Sequence, residues 1–322
     1  MSNWRKIAFS LLLVFLLFEI IVIFPGRLEK NDNIEEQQKK LSKLSGTPEQ
    51  VMKQINLVEA QHGHRDWELF AEVAEGTQEK AMWELKKVRV LFYTNEVVVY
   101  TVTGNRGQID GKSKNMTIEG DVVTKSANGY EYRAEQVYYL AAERKIRTPG
   151  ALSMIGPKDS QGQGLLLTGT RMTILVDNSK MLIDSEVRAS KVLSDQRTLK
   201  IESDSAEFNG VDNEAKFLGR VKLSYDKMEI RGPLAIFSYK KGTNLLDSIL
   251  MKGGIQAVDQ QKFATAENMT VDVLTQKMVF RGQPRLVQNN DELNGEEIIF
   301  LEGGKKVKVE KVKVNANESP RN

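Results

Sequence analysis

The feature that most constrains the fold of this chain is a glycine that returns at a regular interval after an alternating apolar segment. These glycines lie at positions 120, 150, 219, 253 and 282, at steps of 30, 69, 34 and 29 residues. The long step corresponds to two intervals, and Ser185 in MLIDSEV occupies the place that glycine takes elsewhere. A period near 30 residues indicates one β unit stacked on copies of itself, and each unit is predicted to be a short strand, a tight turn and an outgoing strand that ends at glycine. Such a chain builds a long surface or trough rather than a compact pocket.

Segments with a period of two residues begin at Trp67 and continue to the C-terminal region. Examples are VRVLFY at 88–93, MTIEGDVV at 116–123 and YEYRAEQVYYL at 130–140. Successive side chains of a strand point to opposite faces, so each alternating apolar set lines one face of a sheet. The sequence therefore predicts an almost all-β chain beyond residue 67. Its apolar face either meets itself in a closed sandwich core or lines a half-open trough.

An apolar segment at 7–24 is broken only by Ser10 and Glu19. At ~1.5 Å per residue it spans roughly 27 Å, enough for a thin bilayer. Arg5 and Lys6 precede it, which places residues 1–6 in the cytoplasm and the rest of the chain across the membrane. The alternative is a cleaved signal peptide, but no small-x-small site follows, which favours an uncleaved anchor.

Glu19 is an acidic residue within this predicted transmembrane helix. A carboxyl group in the hydrocarbon region is costly, so Glu19 is a candidate contact for the transmembrane helix of a partner. The alternative is that Glu19 lies close enough to the outer interface to reach water. Glu19→Leu leaving complex assembly and function intact would exclude the partner contact.

Composition shifts predict the organisation of the remaining chain. Residues 25–63 form a polar tether with a short helix, because Thr47-Pro48-Glu49-Gln50 is a helix start and Val51, Ile55 and Val58 follow at helical spacing. The glycine-rich loop GPKDSQGQG separates a first β module at 64–157 from a second at 164–314, followed by a disordered tail at 315–322. The alternating KKVKVEKVKV at 305–314 predicts a charged edge strand, which either protects the sheet or offers it to another protein.

Few residues in this chain could support catalysis. Cysteine is absent, which excludes disulfides and thiolate chemistry, and the only histidines are His62 and His64. Two histidines at this spacing cannot complete a zinc site, so we expect no metal, no cofactor and no enzymatic activity. The net charge of +3 gives no support for nucleic-acid binding. The carboxylate pairs Glu202–Asp204 and Asp110–Glu119 are the remaining candidates, for glycoside hydrolysis.

Two tryptophan-containing motifs resemble a known family. They are W-E-L-x-A, with Trp67, Glu68, Leu69 and Ala71, and A-x-W-x-L-x-x-V, with Ala81, Trp83, Leu85 and Val88. With the preceding anchor and the following G-x-V repeats, the first module looks like the LptC family of the lipopolysaccharide export bridge. The second module, with A-x-x-M-x-V and K-M-V-F-x-G-x-P-x-L-V in 266–287, is similar to the LptA/OstA-like repeat. The chain departs from a typical LptC by carrying this second module.

The resemblance implies an elongated β-jellyroll trough of stacked antiparallel strands behind a single transmembrane helix. Such a protein would lie in the inner membrane with its bulk in the periplasm. It would accept lipopolysaccharide, through the lipid A acyl chains, from an inner-membrane ABC transporter that hydrolyses the ATP. It would pass the lipid to an LptA-like bridge protein or an outer-membrane translocon at its C-terminal edge. Two alternatives remain open, namely a membrane-anchored adaptor with a closed core and a carbohydrate-active enzyme.

The residues predicted to line the trough are inward-facing apolar positions of both modules. They are Val90, Phe92, Ile118, Val122, Tyr132, Ile174, Phe208, Phe217, Val221 and Leu223. A shift of one residue in any strand would invert the assignment for that strand. The strands around 88–102 are predicted to be edge strands that dock with the transporter by β-augmentation.

Overall fold

The structure, a computed structural model, describes residues 50–310 apart from 62, 77–80, 161–163, 194, 261, 290 and 302–305. All of the described residues belong to one compact unit, which begins at Gln50. The predicted cytoplasmic tip, the transmembrane segment with Glu19 and the C-terminal tail all lie outside the described residues. Within the part that is described, no helix is long and apolar enough to cross a membrane.

The described residues form one antiparallel sheet of twenty strands, which confirms the all-β prediction. The strands of the first half are β1 (Gln50–Gln61), β2 (His64–Gly76), β3 (Met82–Thr94), β4 (Val97–Asp110), β5 (Met116–Ser126), β6 (Glu131–Leu140), β7 (Lys145–Ile155), β8 (Leu166–Leu175) and β9 (Lys180–Val192). Those of the second half are β10 (Thr198–Ser203), β11 (Ser205–Asn209), β12 (Glu214–Tyr225), β13 (Met228–Tyr239), β14 (Leu246–Asp259), β15 (Lys262–Asp272), β16 (Lys277–Arg281), β17 (Arg285–Gln288), β18 (Asp291–Asn294), β19 (Glu297–Leu301) and β20 (Lys306–Glu310). A 3-10 helix, Ala141–Glu143, joins β6 to β7.

From β1 to β15 the order of the strands in the sheet follows the order in the sequence, whereas beyond it β15 pairs with both β16 and β17, and β16 pairs with β19. Strands β1 to β9 pair each with the next, including β7 with β8 across the glycine-rich loop at 156–164. Strand β9 then pairs with both β10 and β11, and these two short strands together face β12. The meander continues from β12 to β15. Backbone hydrogen bonds therefore run without interruption from the predicted first module into the second.

A line of β-bulges crosses this sheet, and the periodic glycines lie on it. The pairing register shifts between Glu119 and Val122 in β5, between Leu218 and Val221 in β12 and between Lys252 and Ile255 in β14. Gly120, Gly219, Gly253 and Gly282 all have positive φ there. The prediction that the periodic glycines end a strand is wrong for Gly120, Gly150, Gly219 and Gly253, because β5, β7, β12 and β14 continue through them, whereas Gly282 follows the end of β16. A bulge bends a strand without ending it.

Gly219 shows why the bulge requires glycine. Its φ is +71°, and a Cβ built on it would lie 2.5 Å from Oδ2 of Asp204 on the neighbouring segment. The backbone N–H of Asp204 donates to the carbonyl of Gly219 at 3.0 Å, which holds the two strands at this close approach. A side chain here therefore meets both an unfavourable backbone conformation and an occupied neighbour.

We expect Gly219→Ala to lower the free energy of unfolding by about 2 kcal/mol. The left-handed conformation is unfavourable for alanine, and the Asp204 side chain must move to make room for the Cβ. Urea unfolding followed by circular dichroism measures the change. Leu218→Ala is the control, because the Leu218 side chain is exposed and its truncation should change stability by less than about 0.5 kcal/mol. Equal urea midpoints for Gly219→Ala and the unmodified protein would contradict the requirement for glycine at this bulge.

Two sequence predictions about the first strands are wrong. The helix predicted after Thr47 is replaced by strand β1, whose backbone pairs with β2 in a register that places Ile55 opposite Ala71. Pairing with a neighbouring strand outweighs a local helix pattern of this length. The segment 88–102 is not an edge either, because β3 pairs with both β2 and β4. The edge strand at the N-terminal end of the described sheet is β1, which pairs there with β2 alone.

Candidate functional site

The ten residues predicted to line the trough all face the inside of the folded sheet. Each is at most 5% exposed, and all ten belong to one hydrophobic core cluster. Their strand parity is therefore assigned correctly in both halves of the sheet. Lipid binding by these side chains stays a prediction. We call this apolar surface the interior face.

Aromatic rings connect the interior face across several strands. Phe217 packs edge-on against Phe208 and Phe237, with ring centroids 6.1 and 5.0 Å apart. Phe208 in turn contacts Tyr130 at 6.0 Å. Phe237 and Tyr130 were missed from the sequence. Phe237 lies two residues after buried Ala235 in β13, so both side chains point to the same face. The period-two pattern of that strand therefore indicated that Phe237 faces the interior.

The bulges fold the sheet over, so that its two rows of hairpin turns face each other. We call the line where these rows meet the mouth. Arg144, in the β6–β7 turn, reaches across it: its guanidinium forms an ion pair with Asp66 and donates from Nη2 to the carbonyl of Tyr93 at 2.6 Å. Its Nε also contacts Asp177 Oδ1 at 2.6 Å. The Arg144 side chain is 17% exposed, so the pair with Asp66 is largely shielded from water.

Two further contacts close the mouth in the second half of the sheet. Asn244 donates from Nδ2 to the carbonyl of Lys158 at 3.4 Å. Asp195 accepts from Gln276 Nε2 at 3.1 Å. Burial of Asp195 opposes its charge, but hydrogen bonds from Arg197 and Tyr225 outweigh this and hold the pKa of the carboxyl below its usual value. The mouth is thus closed by side-chain contacts rather than by a β ladder.

Side chains fill the space behind the mouth. Two partly open cavities, lined by described residues of the interior face, measure about 50 and 20 Å³. Pockets that hold drug-sized ligands occupy about 300–1,000 Å³. The interior face is therefore packed against itself in this structure, and a bound acyl chain requires the two layers to separate.

The candidate catalytic carboxylates have structural roles. Asp204 accepts from Arg220 Nη2 at 2.6 Å, and this hydrogen bond lowers the pKa of its carboxyl. Asp110 accepts backbone N–H bonds from Lys112 and Ser113 in the β4–β5 turn, which also lowers its pKa. A glycosidase general acid needs a raised pKa, so neither aspartate suits that role. No cluster of metal-ligating side chains occurs among the described residues; His64 is exposed near Glu96, and His62 lies outside them.

A folded sheet with a continuous apolar interior and a mouth closed by side chains defines an elongated all-β protein. The sequence model of a family described as "Lipopolysaccharide-assembly, LptC-related" matches residues 11–192, more than half of the chain. The chain belongs to this LptC-related family. A second family, "LptA/(LptD N-terminal domain) LPS transport protein", matches residues 200–303. These two matches make the chain a component of the periplasmic lipopolysaccharide transport bridge, with an additional LptA-like module.

One solved structure adds a weak similarity. The crystal structure of LptH from Pseudomonas aeruginosa, described as the LptA-homologous periplasmic component of the lipopolysaccharide transport device, is 17% identical. The match covers 38% of this chain and 89% of that chain, with a TM-score of 0.32. No curated protein matches the sequence.

Proposed function

We propose that this protein is anchored in the inner membrane by residues 7–24 and carries lipopolysaccharide by its acyl chains along the interior face. It accepts the lipid from an inner-membrane ABC transporter and passes it toward the outer membrane. The observation that supports this is the continuity of the interior face, which runs through the regions of both family matches. Apolar side chains stacked along twenty paired strands offer a path whose length exceeds that of a single pocket.

The lipid enters, in this proposal, when the mouth opens. Opening breaks side-chain contacts. An exposed hydrogen bond such as Asn244 to Lys158 contributes only about 1 kcal/mol, whereas the shielded ion pair of Arg144 with Asp66 costs more to break. Burial of an acyl chain lowers the free energy by about 0.8 kcal/mol for each methylene group. A chain of a dozen methylenes can therefore offset several mouth contacts, while the backbone ladder stays intact.

The experiment that tests lipid transfer is photo-crosslinking in cells, with the probe at Phe217 and the control probe at Lys216. Phe217 is fully buried on the interior face, and Lys216 points to the opposite side of β12. A lipopolysaccharide adduct at Phe217 alone, dependent on ATP, is the expected result. An adduct at Lys216 alone would contradict the strand parity, and the absence of adducts at Phe217 and Phe92 would contradict transfer.

The free strand β1 is the proposed docking site for the transporter. It has one described partner, β2, and it follows the predicted anchor in the sequence. Val51, Met52, Leu57 and Val58 are exposed on it, from 40 to 55%. An unpaired strand with exposed apolar side chains can add to the sheet of another protein through its backbone. The opposite edge, formed by β18 and β20, is the corresponding site for an LptA-like partner or the outer-membrane translocon.

We expect the double substitution Val51→Asp, Val58→Asp to reduce co-purification of the transporter about tenfold, because two charges would be buried against the partner strand. Val211→Asp is the matched control, since Val211 is 69% exposed in a turn remote in sequence from β1. Quantitative co-purification from membranes measures the effect. Equal recovery with the double variant and the control would exclude β1 as the docking strand.

The filled interior also favours a second function, that of an adaptor that binds only proteins. An adaptor of this kind needs the two free edges but never opens its mouth. Transporter docking through β1 together with no lipid adduct at Phe217 or Phe92 would establish it.

A further inference from the structure

One charged side chain interrupts the interior face. In β9 the inward positions are Met181, Ile183, Val187 and Ala189, and the next is Lys191. The Lys191 side chain is only 4% exposed. An ammonium group in an apolar interior needs an anionic partner, because desolvation otherwise disfavours its charge. The position of Lys191 therefore points to an anion on the inside of the sheet.

In this structure the partner is Asp159, whose Oδ2 lies 2.8 Å from Nζ of Lys191. Asp159 is also 4% exposed. It belongs to the connection between β7 and β8 and not to a strand, so its displacement leaves the backbone ladder of the sheet unbroken. The same connection is held across the mouth by the contact between Lys158 and Asn244.

The cavity of about 50 Å³ lies at Lys191. It is large enough for more than one water molecule. Tyr132 and Phe208, two of the residues predicted to bind lipid, line it on one side. Amide and hydroxyl groups line it on another, among them Asn128, Asn213 and Asn244. The cavity thus joins a polar wall to the interior face.

The tyrosines around this cavity keep their protons. Burial raises the pKa of Tyr100 and Tyr130 to about 12. Their hydroxyl groups can therefore donate hydrogen bonds at neutral pH, in addition to the amides and the ammonium of Lys191. A wall that offers a cation and several donors is suited to an oxygen-rich anion.

We propose that this cavity binds a phosphate monoester of the lipopolysaccharide headgroup, with Lys191 exchanging the carboxylate of Asp159 for a phosphate oxygen. The inference rests on the proposed function, because the acyl chains must lie on the interior face beside Tyr132 and Phe208. A carboxylate and a phosphate accept the same charge-assisted hydrogen bond from an ammonium group. Asp159 occupies the site between passages of lipid, and arrival of the phosphate displaces its carboxylate from Lys191.

The test compares the binding of bisphosphorylated lipid A and of the same lipid after phosphatase treatment to the full chain in detergent micelles. The unmodified protein should bind the phosphorylated lipid about tenfold more tightly. Lys191→Met with Asp159→Asn removes both charges of this ion pair together. This double variant should bind both lipids equally, with the affinity that the unmodified protein has for the dephosphorylated lipid.

Two further variants are compared in the same assay: Asp159→Asn alone as a second test, and Lys200→Gln as the control. Asp159→Asn removes the internal competitor and should increase the preference for phosphorylated lipid, whereas Lys200→Gln, on the exposed face of β10, should leave it unchanged. An unchanged preference in the Lys191→Met, Asp159→Asn variant would overturn the proposal, as would equal binding by the unmodified protein. Inorganic phosphate that binds Lys191 without any preference between the lipids would assign the site to the free ion and also overturn it. Failure of the dephosphorylated lipid to bind would instead contradict the lipid-carrying function itself.

Discussion

Oxidation of the double variant Asn128→Cys, Gly210→Cys is expected to stop lipopolysaccharide transport almost completely, and reduction is expected to restore it. A Cβ built on Gly210 would lie 2.8 Å from Nδ2 of Asn128, across the mouth between the β5–β6 and β11–β12 turns. This separation brings two cysteine side chains within reach of a disulfide bond. A covalent bond at this position holds the two layers together, and the interior face has no free volume for an acyl chain unless they separate.

The absence of cysteine from the chain makes this experiment free of competing thiols. The measurement is the ATP-dependent appearance of lipopolysaccharide adducts, with and without reductant. Lys222→Cys with Arg231→Cys is the matched control, because these residues face each other on adjacent strands and do not cross the mouth. Full transport by the oxidised Asn128→Cys, Gly210→Cys variant would show that the mouth does not need to open, provided that disulfide formation is shown to be complete.

Phe217→Ala is expected to lower the free energy of unfolding by about 3–5 kcal/mol, the usual range for a buried phenylalanine. The Phe217 ring is fully buried and contacts both Phe208 and Phe237, so its removal leaves a cavity that neighbouring strands cannot fill without bending. For a sheet of this size the loss corresponds to a fall in Tm of roughly 10 °C. Thermal unfolding measured by circular dichroism gives the shift.

Val211→Ala is the control for this prediction, since Val211 is exposed in a turn and its truncation should change Tm by less than about 2 °C. A similarly small change for Phe217→Ala would show that the interior is loosely packed. In that case the separation of the layers would need little energy, and the interior face would be partly open without lipid.

The sequence predicted the interior face well because the period of a strand is two and one face is buried. Val90 and Phe217 directly follow the charged residues Arg89 and Lys216, so a register error would have placed charged groups inside. The same reasoning could have found Lys191, which continues the parity of Val187 and Ala189. The prediction of a helix after Thr47 was wrong because the local sequence pattern does not show that this segment pairs with β2.

The mouth could not be predicted from periodicity. Its contacts join residues far apart in the chain, such as Asp195 with Gln276 and Lys158 with Asn244. They depend on where the bulges fold each strand, and the glycines were predicted to end strands and not to bend them. A correct interpretation of Gly219 and Gly253 as bends would have brought the two rows of turns together.

Because long strands such as β5, β7, β12 and β14 each carry their own bend, the sheet can grow by whole hairpins without disturbing the strands that are already paired. Each inserted pair of strands restores the direction of the chain, so the free strands at the two ends keep their orientation toward their neighbours. An inserted single strand would reverse one end and present the edge to its partner in the opposite sense. The continuous pairing of β7 with β8 therefore shows that a sheet of this kind can be lengthened by hairpins without a break in its backbone ladder.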